Sequence, residues 1–280
     1  MPKPSKSSIS WSLALTAIIM VGAWTTLIVH RTRAQQQAIA IIAEIEAEEE
    51  IFSIAVDGPC ISSKYRVKVR DPITFEPQGP DKVRAYLGSE TCRTWLDAPV
   101  AINLSNSLAE DADVRNLRHL PTLKKVDLVE TKITDAGLIV LRELTELEEL
   151  RIGSDQITDV GIKNITSLGK LREVLLSGPH ISDLSLSETS RLPKLQVLTI
   201  SSPRLTDKGL QRLAQHKQLR SLRISAPLLT DRALSYIGQI PCLRSLHIIN
   251  QCHITDEALA QFKSDRPALN VLYEPYGPPP

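Results

Sequence analysis

Leu195-Gln196-Val197-Leu198-Thr199-Ile200, followed by Leu205-Thr206-Asp207-Lys208-Gly209-Leu210-Gln211-Arg212-Leu213, is one complete copy of the unit that decides the fold. Alternation through Leu198 and Ile200 makes a short strand with one buried face. Thr206 then caps a helix, and Asp207 at its first position suits the positive end of the helix dipole. Leu210 and Leu213 follow at helical spacing and give that helix an apolar side. One strand and one helix cannot bury these faces alone, so copies must stack and share a core.

The copies are present. Thr206-Asp207 recurs as Thr134-Asp135, Thr158-Asp159, Ser182-Asp183, Thr230-Asp231 and Thr255-Asp256, every 24 residues until one last step of 25, with Glu110-Asp111 as a degenerate forerunner. The apolar template returns from Leu123, Leu147, Leu171, Leu219 and Leu243, is opened by Val100-Ala101-Ile102-Asn103-Leu104, and is closed by Leu269 and Leu272. Leu138, Leu141 and Leu144 are the buried helical positions of one unit, while His216 replaces the third leucine in another and reads as a half-exposed histidine at a frayed helix end. Pro121, Pro193, Pro241 and Pro267 end helices. Two places after each repeated Asp stands Gly137, Gly161, Ser185, Gly209, Ala233 or Ala258. Because Ser and Ala are accepted, the position requires close packing and not a positive φ.

Composition agrees with layers of branched aliphatics: 42% hydrophobic residues but only 4% aromatic. Formal charge is +1, so no overall field points to nucleic acid, which is not an expected partner. Residues 1–10 form an N-terminal tail. Trp11 to Val29 carries no charged side chain and would span about 28 Å as a helix, so residues 11–30 read as an uncleaved signal anchor crossing a membrane once. Lys3, Lys6 and the α-amino group before it, against Arg31 and Arg33 after it, place the bulk of the chain outside the cytoplasm. Residues 31–56 are expected to form a helical stalk. A coiled-coil seam through Ala38, Ile41 and Ile45 meets Glu48, which argues against dimerisation there. Residues 57–98 are a linker and cap, with a strand expected at Tyr65–Val69 and a helix from Asp81 to Leu87; residues 99–273 are the repeats and 274–280 a Pro-rich tail.

The units L-x-x-L-x-L and I-T-D-x-G-L-x-x-L resemble the leucine-rich repeat, in particular the threonine-aspartate subclass found in cysteine-containing repeats and in bacterial membrane-anchored repeat proteins. The upstream order of apolar anchor, Ala/Ile-rich helix and Val83-Arg84-Ala85-Tyr86-Leu87-Gly88 is similar to the layout of the latter. The resemblance implies an α/β solenoid with a concave parallel sheet and convex helices, here preceded by one transmembrane helix and the stalk, and implies ligand recognition instead of catalysis. It departs from the pattern where many such repeats carry an asparagine after the strand. Thr131, Asp155, Pro179, Pro203, Pro227 and Gln251 stand there, so stacking or the backbone alone must hold that loop.

No phosphate loop, nucleophile elbow or H-E-x-x-H is present, so no enzyme activity and no cofactor are expected. Cys242, His247, Cys252 and His253 cannot share a metal ion, because an extended strand of about 20 Å separates the cysteines. For the same reason Cys242 and Cys252 should stay unbridged within one molecule, whereas Cys60 and Cys92, both in the cap region, can pair in an oxidising compartment. On the concave face one column runs Asn103, Asp127, Arg151, Leu175, Thr199, Arg223, His247, and its neighbour Lys125, Glu149, Glu173, Val197, Ser221, Ser245. Lys125 should face Glu149 and Asp127 should face Arg151. Arg223 and His247 have no acidic neighbour in their column. With Thr199, Ser221, Ser225 and Ser245, and with Glu173 at the margin, they form the expected site for a protein partner or a polar or acidic ligand. The chain thus reads as a membrane-anchored interaction module; the alternative is a structural or oligomerising envelope protein without a specific concave-face ligand.

Overall fold

The computed structural model describes residues 33–41, 73–76, 98–214, 216–249 and 253–274. Among them, one sheet contains β1 (Ile73–Glu76), β2 (Ala98–Asn103), β3 (Lys125–Val129), β4 (Glu149–Gly153), β5 (Glu173–Ser177), β6 (Val197–Ser201), β7 (Ser221–Ser225), β8 (Ser245–Ile249) and β9 (Asn270–Glu274). Spatial order equals chain order. β2 to β9 pair in parallel, and β1 closes the first edge antiparallel to β2. The connections carry α2 (Asp111–Val114), α3 (Asp159–Ile162), α4 (Asp183–Thr189), α5 (Asp207–Leu213), α6 (Asp231–Ile237) and α7 (Asp256–Asp265), while residues 33–41 form α1. Strands repeat about every 4.8 Å but packed helices need about 8–10 Å, so stacking bends the molecule with the sheet inside. The architecture is a leucine-rich-repeat solenoid of the α/β kind.

The repeated leucines fill the space between sheet and helices. Leu123, Leu147, Leu171, Leu195 and Leu219 form one fully buried row, and Leu150, Val174, Leu198, Leu222 and Leu246 another. Leu138, Leu141 and Leu144 are buried as expected, but their segment, Gly137–Glu143, is a 3-10 helix. Arg115–His119 and Lys163–Ser167 are 3-10 as well. β-branched Ile139-Val140 and Ile165-Thr166 weaken α-helix in two of these segments.

Each repeated Asp does more than complement a helix dipole. The Asp183 carboxylate accepts the backbone N–H of Thr206 at 2.8 Å and its hydroxyl at 2.6 Å, and Thr206 Oγ1 in turn accepts the Lys208 N–H at 3.3 Å. The same rung joins Asp111 to Thr134, Asp135 to Thr158, Asp159 to Ser182, Asp207 to Thr230 and Asp231 to Thr255. This ladder explains the small residue after each Asp. A Cβ on Gly137, Gly161 or Gly209 would strike the carboxylate of the preceding repeat, and on Gly209 would also come within 2.8 Å of Leu186 Cδ1. Ser185 instead donates its hydroxyl to Asp159 Oδ1 at 2.5 Å.

Other expectations change. His216 is buried, not frayed: its Nε2 lies 3.0 Å from the Leu192 carbonyl, and its Nδ1 accepts the N–H groups of Gln218 and Leu219. The loop after the strands is not left to stacking and backbone. Ser154 and Ser202, each one residue before the asparagine-type position, donate to the carbonyls of Ile133 and Ile181 in the preceding repeat, at 2.8 and 2.6 Å. In β9 it is Val271 that pairs with Leu246, so Leu272 lies beside His247 on the open face instead of in the core. The cause is spacing, since Leu243 stands three residues before Leu246 but Leu269 only two before Val271.

At the other end, the cap contains β1, where the sequence suggests only a Pro-bounded linker; the strand expected at Tyr65–Val69 and the helix at Asp81–Leu87 lie outside the described residues. α1 falls within the expected stalk, yet Ala38 is 1% exposed and belongs to the solenoid core, with Ile39 packed beside it. No helix among the described residues is long and apolar enough to cross a membrane, and the anchor expected at residues 11–30 lies outside them. Cys242 is an exposed free thiol, while Cys60, Cys92 and Cys252 are outside the described residues.

Candidate ligand-binding face

The open face of the sheet takes its side chains from the strand residues that alternate with the buried ones, so strand register sets which of them meet. Lys125 is opposite Glu149 and Asp127 opposite Arg151; Thr199, Arg223 and His247 follow one another across β6, β7 and β8, beside Ser221 and Ser245. Glu173 is separated from Ser221 by Val197 and faces the other half of the sheet.

That other half is internally neutralised. Lys125 Nζ is 2.6 Å from Glu149 Oε1, and the Arg151 guanidinium lies between Asp127, 3.8 Å away, and Glu173, 3.4 Å away. Arg172 reaches Glu148 at 3.7 Å. Each of these pairs has at least one partner largely open to solvent and is worth only about 0–1 kcal/mol, so their main effect is to match charge locally. Burial pushes the Asp127 carboxyl above its ordinary value, against the Val129 N–H and Arg151, which hold it down.

The half around Arg223 is different. Arg223 is exposed and forms no ion pair with any described residue; Thr199, Ser221 and Ser245 are half-buried around it. His247 gains an acidic neighbour that its column does not supply. Its Nε2 lies 3.2 Å from Glu274 Oε2 on β9, and that nitrogen is buried yet off the line of a hydrogen bond. Arg220 and Arg244, exposed at the strand starts and directly opposite each other, extend the basic side; the Arg244 N–H donates to the Arg220 carbonyl at 2.8 Å. The column reading omits both, although the residue after each leading leucine of the template marks them. Beyond the strand ends, a groove of about 320 Å³ is lined by Ser177, Ser201 and Ser225 with Pro179, Pro203 and Pro227. Among the described residues no group of three or more His, Cys, Asp or Glu is placed to hold a metal ion.

The class of protein follows from this register: a leucine-rich-repeat solenoid presenting an open sheet face. A family model described as Leucine Rich repeat matches residues 119–141. Similar solved structures include an internalin (inlF) from Listeria monocytogenes, 24% identical, with 65% of this chain and 48% of that chain covered and a TM-score of 0.45. An internalin C2 (inlC2) from the same organism is 17% identical, with 65% and 85% covered and a TM-score of 0.44. This chain thus spans about half the length of the first of them. No curated protein matches the sequence.

Proposed function

We propose that this protein is a membrane-anchored interaction module that recognises a partner protein, or another polar or acidic ligand, on the concave face of its solenoid and catalyses no reaction. The observation that carries the reading is the contrast within that face. Charges on β3 to β5 answer one another, whereas Arg223 and the hydroxyls of Thr199, Ser221 and Ser245 are left to solvent. A face of stacked strands holds such groups in fixed register, which lowers the entropy cost of binding an extended partner.

Anchoring through residues 11–30, with the repeats outside the cytoplasm, is supported by the length of the uncharged segment and by the basic residues before it. Assignment to the threonine-aspartate subclass, and likeness to bacterial membrane-anchored repeat proteins, is supported by the six Asp-to-Thr/Ser rungs. The test is affinity capture with the full chain from its native membrane fraction, repeated with Leu175→Glu and Val197→Glu, both at half-buried open-face positions. Loss of the captured partner in these folded variants supports the reading. Capture indifferent to every open-face change, with self-association instead, overturns it in favour of a structural role.

A further inference from the structure

We propose that the C-terminal half of the concave sheet, with the rim from which β7 and β8 start, is a docking site for an acidic peptide segment of a partner protein, held by Arg223 on the open face and by Arg220 and Arg244 on the rim. This rests on the concave-face reading above and specifies its ligand. The formal charge of +1 conceals a strong segregation along the solenoid. Residues 105–189 carry ten Lys and Arg against fifteen Asp and Glu, formally −5, while residues 190–255 carry ten against two, formally +8. The two acidic residues of the basic block are Asp207 and Asp231, and both are spent inside the fold on the rungs to Thr230 and Thr255. No carboxylate of β6 to β8 therefore offsets Arg223 on their open face or Arg220 and Arg244 on its rim, and Glu274 on β9 lies against His247.

Geometry makes this a site and not a diffuse field. Arg220 and Arg244 immediately precede β7 and β8, about 4.8 Å apart on the rim of the sheet, and Arg223 follows three residues on, about 10 Å along the chain and on the open face, so a ligand that runs over this rim meets all three. Like charges at strand spacing repel unless an anion lies between them, so the arrangement favours a ligand with several carboxylates. Guanidinium groups suit carboxylates through two parallel hydrogen bonds. The neighbouring Thr199, Ser221 and Ser245 supply further donors, and half-buried Leu175 and Val197 supply apolar contact at the inner margin. A peptide bearing both acidic and apolar side chains matches that mixture better than a uniform phosphate backbone or a lipid surface does.

The experiment uses the full chain in phosphatidylcholine nanodiscs and a fluorescein-labelled decapeptide alternating glutamate with leucine and serine, read by fluorescence anisotropy. Binding that weakens with salt, and that falls about tenfold or more in Arg223→Glu and in Arg244→Glu, is expected. Lys125→Glu with Glu149→Lys, which exchanges a neutral pair on the other half, should leave it unchanged. Arginine-dependent binding to equimolar phosphatidylserine–phosphatidylcholine vesicles or to duplex DNA without binding of the peptide overturns the proposal, as does peptide affinity indifferent to the arginines. If only the arginine variants are silent while Leu175→Glu and Val197→Glu still abolish partner capture, the concave face stands and the acidic ligand falls.

Discussion

An aspartate in this chain is an inter-repeat connector before it is a helix-dipole partner. The Asp183 carboxylate takes two hydrogen bonds from Thr206, both from the next repeat, and hydrogen bonds to a charged group are among the stronger ones. Asp183→Ala leaves the Thr206 N–H and hydroxyl without that acceptor, and we expect a loss of about 2 kcal/mol in urea unfolding. Asp231→Ala should cost less, because Thr255 is exposed and its hydroxyl bond is 3.1 Å. At the glycine beside each rung, Gly209→Ser should be better tolerated than Gly209→Ala in the same assay. A serine there can repeat the bond that Ser185 gives Asp159, whereas an alanine brings only the Cβ that crowds Asp183 and Leu186. Asp159 also sets a pH dependence. Burial pushes its pKa up, but hydrogen bonds from the hydroxyls and N–H groups of Ser182 and Ser185 outweigh that and hold it below the ordinary value. A carboxyl whose folded pKa is depressed stabilises the fold above its unfolded value of about 3.9, and loses that contribution as pH falls through the folded value. Ser185→Ala should therefore lower the melting temperature more at pH 7 than at pH 3, and an equal drop at both would count against the carboxylate as the cause.

At the scale of elements, the strands were legible because leucines recur at fixed spacing and each strand needs only its own two buried positions. The ends of the stack were not. β1 sits between Pro72 and Pro77, and prolines read as breakers unless the antiparallel partner at β2 is known. In β9, Leu269 and Leu272 both satisfy the leucine template, and only the pairing with β8 shows that Leu272 is on the open face. That register is open to test: Leu272→Ser should stay within about 0.5 kcal/mol of the native protein, whereas Leu269→Ala should cost about 2 kcal/mol. The burial of His216 is hidden in the sequence for a related reason, since a polar residue at a leucine position looks exposed until its acceptors and donors are placed. His216→Leu restores the template but leaves the Leu219 N–H and Leu192 carbonyl unpaired. We expect it to destabilise by about 1–3 kcal/mol despite the gain in apolar surface. The open-face columns were readable from period-two alternation. The basic site within them was less so, because a whole-chain charge averages away a difference that only the division of the solenoid into halves brings out.

In the whole molecule each repeat touches only its neighbours, so stability is close to a sum over interfaces and the ends decide where unfolding starts. Among the described residues the C-terminal end is the less sealed of the two. Ile254, Leu259, Phe262 and Leu269 keep 7–8% of their surface, where most interior leucines keep none. At the N-terminal end, α1 covers the core through Ala38, and with Asn116 and His119 it lines an open groove of about 360 Å³. A segment expected to be a free stalk thus includes part of the cap, and Arg33, its first described residue, stands three positions after residue 30, where the proposed anchor ends. Two intervening residues span no more than about 10 Å, so the first repeat would be held close to the membrane surface and not on a long spacer. Two truncations separate anchor from cap. Removing residues 1–32 should release the protein into the soluble fraction with its unfolding midpoint little changed, whereas the full chain should resist extraction by salt and by alkali. Removing residues 1–41 should release it too, but with a lower midpoint, because the first repeat then loses Ala38 and Ile39 as cover. Ala38→Lys in the chain lacking residues 1–32 should reproduce that loss. Full-length protein recovered in the soluble fraction would rule out the anchor, and equal midpoints for the two truncations would rule out α1 as part of the cap.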